Sequence, residues 1–205
     1  MRSDSFRPPL ELRGRYIALV PLELAHGPPL LDVARRPDVM QYLRIGAMRD
    51  AGDLERMIRD LLEHQTAGTD LPLTTCRLPA GTPIGMTRYL RIDRINDWVE
   101  IGGTWLDPAY WRTAINTEAK LLMLRHAFEV EGVHRVQFQT DLRNERSQRA
   151  IARLGAVREG VLREDVRIPD GYRRSSVYFS ILADEWPSVR RRLEQALERP
   201  WTPPA

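Results

Sequence analysis

The sequence predicts a mixed α+β domain, and three observations carry that prediction. Three strand-like runs follow one another through short turns between Leu71 and Leu106. The apolar period then lengthens from that of a strand to that of a helix along Ile115 to Val130. A further strand, a short helix and a long hairpin come after it, so the chain does not alternate as a repeating βαβ fold requires.

Taken in order, Tyr16 to Leu22 alternates as a first strand, and Ala25 to Arg36 is a proline-interrupted helix leading to Pro37. Asp50 to Gly68 is a second helix, because Leu54, Met57, Ile58, Leu61 and Leu62 recur at helical spacing and Gly68 supplies a stop. The strands Leu71 to Leu78, Ile84 to Ile92 and Trp98 to Leu106 are joined at Pro79-Ala80-Gly81 and at Arg94-Ile95-Asn96-Asp97. In the helix that follows, Ile115, Ala119, Leu122, Met123, His126, Ala127 and Val130 share one face, and Gly132 ends it. His134 to Thr140 is a strand, and Glu145 to Leu154 is a short helix closed by Gly155. A hairpin with arms Ala156 to Arg167 and Arg173 to Leu182 turns at Pro169-Asp170-Gly171, and a charged helix runs from Trp186 to Arg199. The first ten and last five residues read as loosely held ends.

Composition narrows the class. The chain has 205 residues, 42% hydrophobic and 29% charged, which is enough apolar mass for one core and excludes fibrous or disordered chains. We expect one domain from residue 10 to residue 186, with residues 187 to 205 forming a terminal helix and tail on it. No run approaches the roughly 18 apolar residues of a membrane helix, and Met1 to Pro9 lacks the apolar centre of a secretion signal. The expectation is a soluble, cytoplasmic protein with no membrane partner. Cys76 lies in an apolar-alternating run, where a buried, inert thiol is expected rather than a nucleophile. A net charge of +3 is too slight for a dedicated nucleic-acid binder, and Arg190, Arg191 and Arg192 read as a solvated helix face. Of the 31 basic residues 30 are arginine and only Lys120 is lysine, which matches codon usage in a GC-rich bacterium.

Several chemistries lack their residues. His26, His64, His126 and His134 share no ligand spacing with one another or with Cys76, so no metal site is expected. There is no G-x-S-x-G elbow, no phosphate loop of the G-x-x-x-x-G-K-[ST] kind, and no G-x-G-x-x-G after a strand. What stands out is the passage from strand to long helix, Leu106 to Ala119. The first N–H groups of a helix have no partner inside it and carry partial positive charge, which suits an anion such as a diphosphate. Thr113, Ala114, Asn116 and Thr117 are small enough to let an anion approach, Asn116 or Thr117 is the expected cap, and Arg112 adds a full charge.

The run Glu100-Ile101-Gly102-Gly103-Thr104-Trp105-Leu106-Asp107-Pro108-Ala109-Tyr110-Trp111, then Asn116-Thr117-Glu118-Ala119, then Asp141-Leu142-Arg143-Asn144-Glu145-Arg146-Ser147 with Leu154-Gly155-Ala156, carries a resemblance. Together these segments resemble the GNAT (Gcn5-related) N-acetyltransferases, most closely the RimJ/RimL branch that acts on ribosomal-protein N-termini. The resemblance extends over roughly Leu10 to Glu185. It implies a GNAT fold: a mixed, mostly antiparallel, splayed sheet of six to seven strands with helices on both faces. It also implies an acyltransferase that moves an acetyl group from acetyl-CoA to an amine, without a metal and without an acyl-enzyme. The diphosphate would then lie on Arg112, Thr113, Ala114, Ile115, Asn116 and Thr117. The pantetheine arm would lie along Thr104, Trp105 and Leu106, with Asn144 bonding its amide region.

The sequence departs from the family pattern in two places. Trp111, Ala114 and Asn116 occupy the defining places of the loop usually written Q/R-x-x-G-x-G/A, so both glycines are replaced. Ile151 stands where many members place a tyrosine acid, which leaves Ser147 or a water to return a proton to the thiolate. For the base, Glu100 is the candidate: alternation puts Glu100, Gly102 and Thr104 on one strand face, open to the acceptor. The acceptor is a protein N-terminus or a small amine such as an aminoglycoside, a polyamine or an amino-acid derivative, and an acidic acceptor pocket would favour the cationic small molecule. Tyr42, Trp98, Trp105 and Tyr172 are candidates to line that pocket. The alternative is a GNAT-fold binding or scaffold protein whose loop has lost the coenzyme. The long hairpin offers a surface through which two copies can pair as a homodimer.

Overall fold

The computed structural model of the chain describes residues 6–46, 48–169, 171–198 and 201. Among these residues eight strands form one sheet: β1 (Leu12–Arg13), β2 (Ile17–Pro21), β3 (Asp70–Arg77), β4 (Thr82–Asp93), β5 (Trp98–Leu106), β6 (Arg135–Asp141), β7 (Val157–Arg167) and β8 (Arg173–Leu182). Their order across the sheet is β1-β2-β3-β4-β5-β6-β8-β7. All neighbours are antiparallel except β5 and β6, which run parallel. The expected six to seven strands become eight because the two-residue β1 pairs with β2, a length too short to leave an alternating signature.

Among the described residues six α-helices flank the sheet: α1 (Gly27–Ala34), α2 (Pro37–Met40), α3 (Ala51–Thr66), α4 (Ala114–Arg125), α5 (Glu145–Leu154) and α6 (Trp186–Glu198). On one face α1, α2 and α3 enclose Leu30, Leu54, Ile58, Met86 and Trp105. On the other, α4, α5 and α6 enclose Leu71, Tyr89, Ile101, Met123, Phe138 and Leu193. Both layers bury apolar side chains against the same strands. Cys76 is buried on β3, and burial pushes its thiol up. Among the described residues no helix is long and apolar enough to cross a membrane.

Three boundaries differ from expectation. The single helix expected over Ala25 to Arg36 is a 3₁₀ turn, Leu24–His26, followed by α1, and Pro37 opens α2 instead of only ending α1. Proline's fixed φ suits a first helical turn as well as it stops the previous one. The helix expected to run to Gly132 changes into a π-helical turn over His126–Val130, where the Glu131 N–H donates to the His126 carbonyl at 3.0 Å. The wider turn rotates Val130 out of the apolar face, and it is 67% exposed. Arg199 and most of the tail, like Asp170 at the hairpin tip, lie outside the described residues.

Candidate active site

β5 and β6 pair at only three positions, Trp98 with Arg135, Val99 with Val136, and Glu100 with Gln137. Past Glu100 they part, and the β5 main chain from Ile101 to Leu106 has no β6 partner. A cleft of about 310 Å³ occupies the gap. It runs between the start of α4 and the first turns of α5 at one end and Tyr42, Arg44, Arg88, Glu100 and Arg174 at the other.

A bulge decides which β5 side chains face which layer. Arg88 pairs with Gly102 and Met86 with Trp105, so Gly103 and Thr104 together oppose Thr87 alone. Gly103 takes φ +56, and a Cβ there would come within 2.9 Å of Arg88 Nε. Alternation fails at this point. Val99 and Ile101 pack toward α4, so Glu100 and Gly102 face α1–α3, while Thr104 is switched to the α4 side. The expectation of Glu100, Gly102 and Thr104 on one face is therefore corrected: only the first two share it.

Glu100 is 3% exposed and lines the cleft. Its Oε2 accepts from Gln137 Nε2 at 3.0 Å and pairs with Arg91 Nη1 at 3.4 Å. Thr104 Oγ1 lies 2.7 Å from Thr87 Oγ1 and accepts from Lys120 Nζ at 2.6 Å. Lys120 also donates to Thr87 Oγ1 at 3.1 Å, and full burial lowers its pKa to about 7. Trp105 Nε1 is buried in the cleft wall without a partner among the described residues, and Leu106 O accepts from Trp111 Nε1 at 3.0 Å.

At the start of α4 the cap is Thr113, not Asn116 or Thr117. Its Oγ1 accepts from the Ile115 N–H at 3.3 Å and donates to the Tyr110 carbonyl at 2.7 Å. Ala114 and Asn116 are thus already helical, and neither takes positive φ; the left-handed residue is Arg112, at φ +62. The replaced glycines cost the backbone nothing, because the turn they would relieve falls two residues earlier. Arg112, Thr113, Asn116 and Thr117 line the cleft. Ile115 turns into the core and its N–H is taken by Thr113. Arg146, Arg149 and Arg153 of α5 face the same end. The Arg146 guanidinium lies 3.6 Å from the Trp111 ring centroid, which holds that indole back against the wall.

Asn144 caps α5, its Oδ1 accepting from the Ser147 N–H at 3.0 Å, while the residue still lines the cleft with Ser147 and Ile151. Of the aromatic candidates, Tyr42 and Trp105 line the cleft. Trp98 Nε1 bonds to Asp93 instead, and Tyr172 carries the Arg143 guanidinium 3.6 Å from its ring centroid. Sequence reasoning missed Lys120, Arg44, Arg88 and Arg174. For Lys120 a signal existed, its being the sole lysine; for the arginines none did, since thirty are spread along the chain.

A splayed mixed sheet with a helix start at the mouth of its cleft fits the acyltransferase class. The match to the Acetyltransferase (GNAT) domain model covers residues 17–157, and the chain belongs to that family. A crystal structure described as a "putative acetyltransferase", from T. thermophilus, is 39% identical over 92% of this chain and 97% of its own, with TM-score 0.84. The Mycobacterium smegmatis RimJ structure in complex with CoA-disulfide shares the fold, at 20% identity, 95% and 98% coverage and TM-score 0.80. The Bacillus subtilis (strain 168) protein named "Putative ribosomal N-acetyltransferase YdaF" is 30% identical over 106 residues, 52% of this chain. That match spans 57% of the YdaF length.

Proposed function

We propose that the protein transfers the acetyl group of acetyl-CoA to a primary amine by direct attack. The observation that carries this reading is the parting of β5 from β6 with the first turn of α4 at its mouth. An unpaired strand edge can bond an extended amide chain, and a helix start bordered by Arg112, Arg146, Arg149 and Arg153 suits phosphate groups. The orphaned Trp105 Nε1 adds a donor on the wall. Acetyl-CoA supplies an activated thioester; the chain's own residues do the rest.

Thr104, Trp105 and Leu106 hold the pantetheine arm by their main chain. Arg112, Thr113, Ala114, Asn116 and Thr117 hold the diphosphate, and Ile115 contributes to this turn by fixing Thr113. Asn144 keeps its amide nitrogen for the arm while its oxygen caps α5. Glu100 accepts the amine's proton as the carbon–nitrogen bond forms, because only an uncharged amine attacks. Ser147 returns a proton to the departing sulfur, in the absence of a tyrosine at Ile151. Titration of the purified protein with acetyl-CoA tests the reading: saturable heat with micromolar affinity is expected, and no heat at millimolar ligand defeats it.

A further inference from the structure

From the Glu100 end of the cleft we infer that the acceptor amine carries a carboxylate. This inference rests on the acetyl transfer proposed above and names the chemistry of its second substrate. Three arginines from separate elements converge there: Arg44 from the segment between α2 and α3, Arg88 from β4 and Arg174 from β8. Arg44 lies close enough to oppose the charge of both others. Burial first, and then Arg44, lowers the pKa of Arg174, and Arg44 acts in the same direction on Arg88.

Their partners do not balance them. Arg88 Nη1 is paired with Asp70 at 2.7 Å. Arg44 donates to the neutral amide oxygen of Gln139. Arg174 is 5% exposed, its Nη1 donates to the Tyr42 carbonyl at 3.2 Å, and its Nε is buried with no partner among the described residues. The carboxylates within range of Arg174 are engaged elsewhere: Asp141 with Arg143 at 2.9 Å, Glu100 with Arg91 at 3.4 Å, and Asp165 with Gln139 Nε2 at 3.2 Å. Among the described residues neither Arg44 nor Arg174 has an ion pair.

A buried guanidinium without a counter-charge is costly, and a carboxylate is the group whose geometry matches its fork of donors. The same field works against a polyamine or aminoglycoside, which would bring more positive charge to three arginines. The acidic pocket that would have selected a cationic acceptor is absent here, since Glu100 is the one carboxylate on the described cleft lining.

The test measures acetyl transfer to matched acceptors: free amino acids, the same amino acids as amides, C-terminally amidated peptides beginning with Asp or Glu, the same peptides beginning with Ala, and spermidine. Carboxylate-bearing acceptors are expected to exceed their neutral counterparts in kcat/KM by at least about tenfold, and whether free amino acids or acidic peptides lead identifies the source of the carboxylate. Arg174→Met should remove that preference through KM, with kcat and acetyl-CoA affinity near wild type. Arg44→Met, at a half-buried position, does the same where loss of the buried arginine prevents folding. Equal or better transfer to amides or spermidine, or a preference that survives both substitutions, overturns the inference alone. Absence of acetyl-CoA binding overturns the transfer reading as well.

Discussion

Lys120 Nζ and Thr104 Oγ1 lie 2.6 Å apart, and this contact ties α4 to the one β5 residue that the bulge has turned toward it. Buried lysine sheds its charge more readily than arginine, whose guanidinium stays protonated. Burial lowers the Lys120 pKa from 10.5 to about 7. The unfolded chain therefore binds the extra proton between those two values, so stability rises with pH across that window and stays at its lower level below about 7. Lys120→Met should abolish this rise. Chemical denaturation at pH 7, 8 and 9 should show the variant's stability relative to wild type falling by at most about 1.4 kcal/mol per pH unit. Parallel curves for the two proteins would mean that the amine is charged in the fold.

Glu118 joins the edge of the sheet to α4. Its carboxylate accepts from the N–H groups of Arg15 at 2.7 Å, Tyr16 at 2.8 Å and Ile17 at 3.0 Å. Gly14 makes room, because a Cβ there would lie 2.4 Å from Glu118 Cδ. Glu118→Ala should cost about 1–3 kcal/mol, as three donors, the Ile17 N–H among them buried, lose their acceptor, and Gly14→Ala about 1–3 kcal/mol through overpacking. Calorimetric midpoints check both, and an unchanged midpoint in Glu118→Ala rejects the anchoring role.

Glu100→Gln should bind acetyl-CoA as wild type does and slow turnover by about 10²-fold or more at neutral pH. The deficit should shrink as pH rises, because the acceptor amine then loses its proton unaided. A variant as fast as wild type at pH 7 removes Glu100 from proton transfer.

Arg112 couples a strained backbone to a charge. Arg112→Gly should raise or preserve the thermal midpoint, since glycine adopts φ +62 without the roughly 1 kcal/mol cost of a side chain. The same change should weaken acetyl-CoA binding severalfold. Tighter binding would show that the Arg112 side chain obstructs the loop.

Asn144→Ala separates two duties. Loss of the α5 cap should cost about 1 kcal/mol, and Asn144→Ser should restore it. Acetyl-CoA affinity that recovers fully with serine would assign Asn144 to capping alone.

The strands from Leu71 to Leu106, the helix bounds of α5 and the arms of the hairpin were legible because each carries its own period and its own turn residues. The π-helical turn at His126–Val130 was not, since the apolar spacing runs through it unbroken while the extra residue per turn is a property of the backbone. Nor was the bulge at Gly103, where a glycine pair could equally have been an ordinary strand weakness.

For the site, the amino-acid order by itself determined that a loop rich in small residues and one arginine leads into a long helix, whereas Asn144 and Ser147 entered only through the family resemblance. The loop and helix start are a local relationship, written within a few residues of chain. What only the tertiary structure decided is which face each side chain takes after the bulge, and which arginines meet. Arg44, Arg88 and Arg174 come from three distant segments, and their proximity follows from sheet order and helix packing rather than from any spacing along the chain. Charge acts through space, so the character of the acceptor end appears only once the strands are side by side.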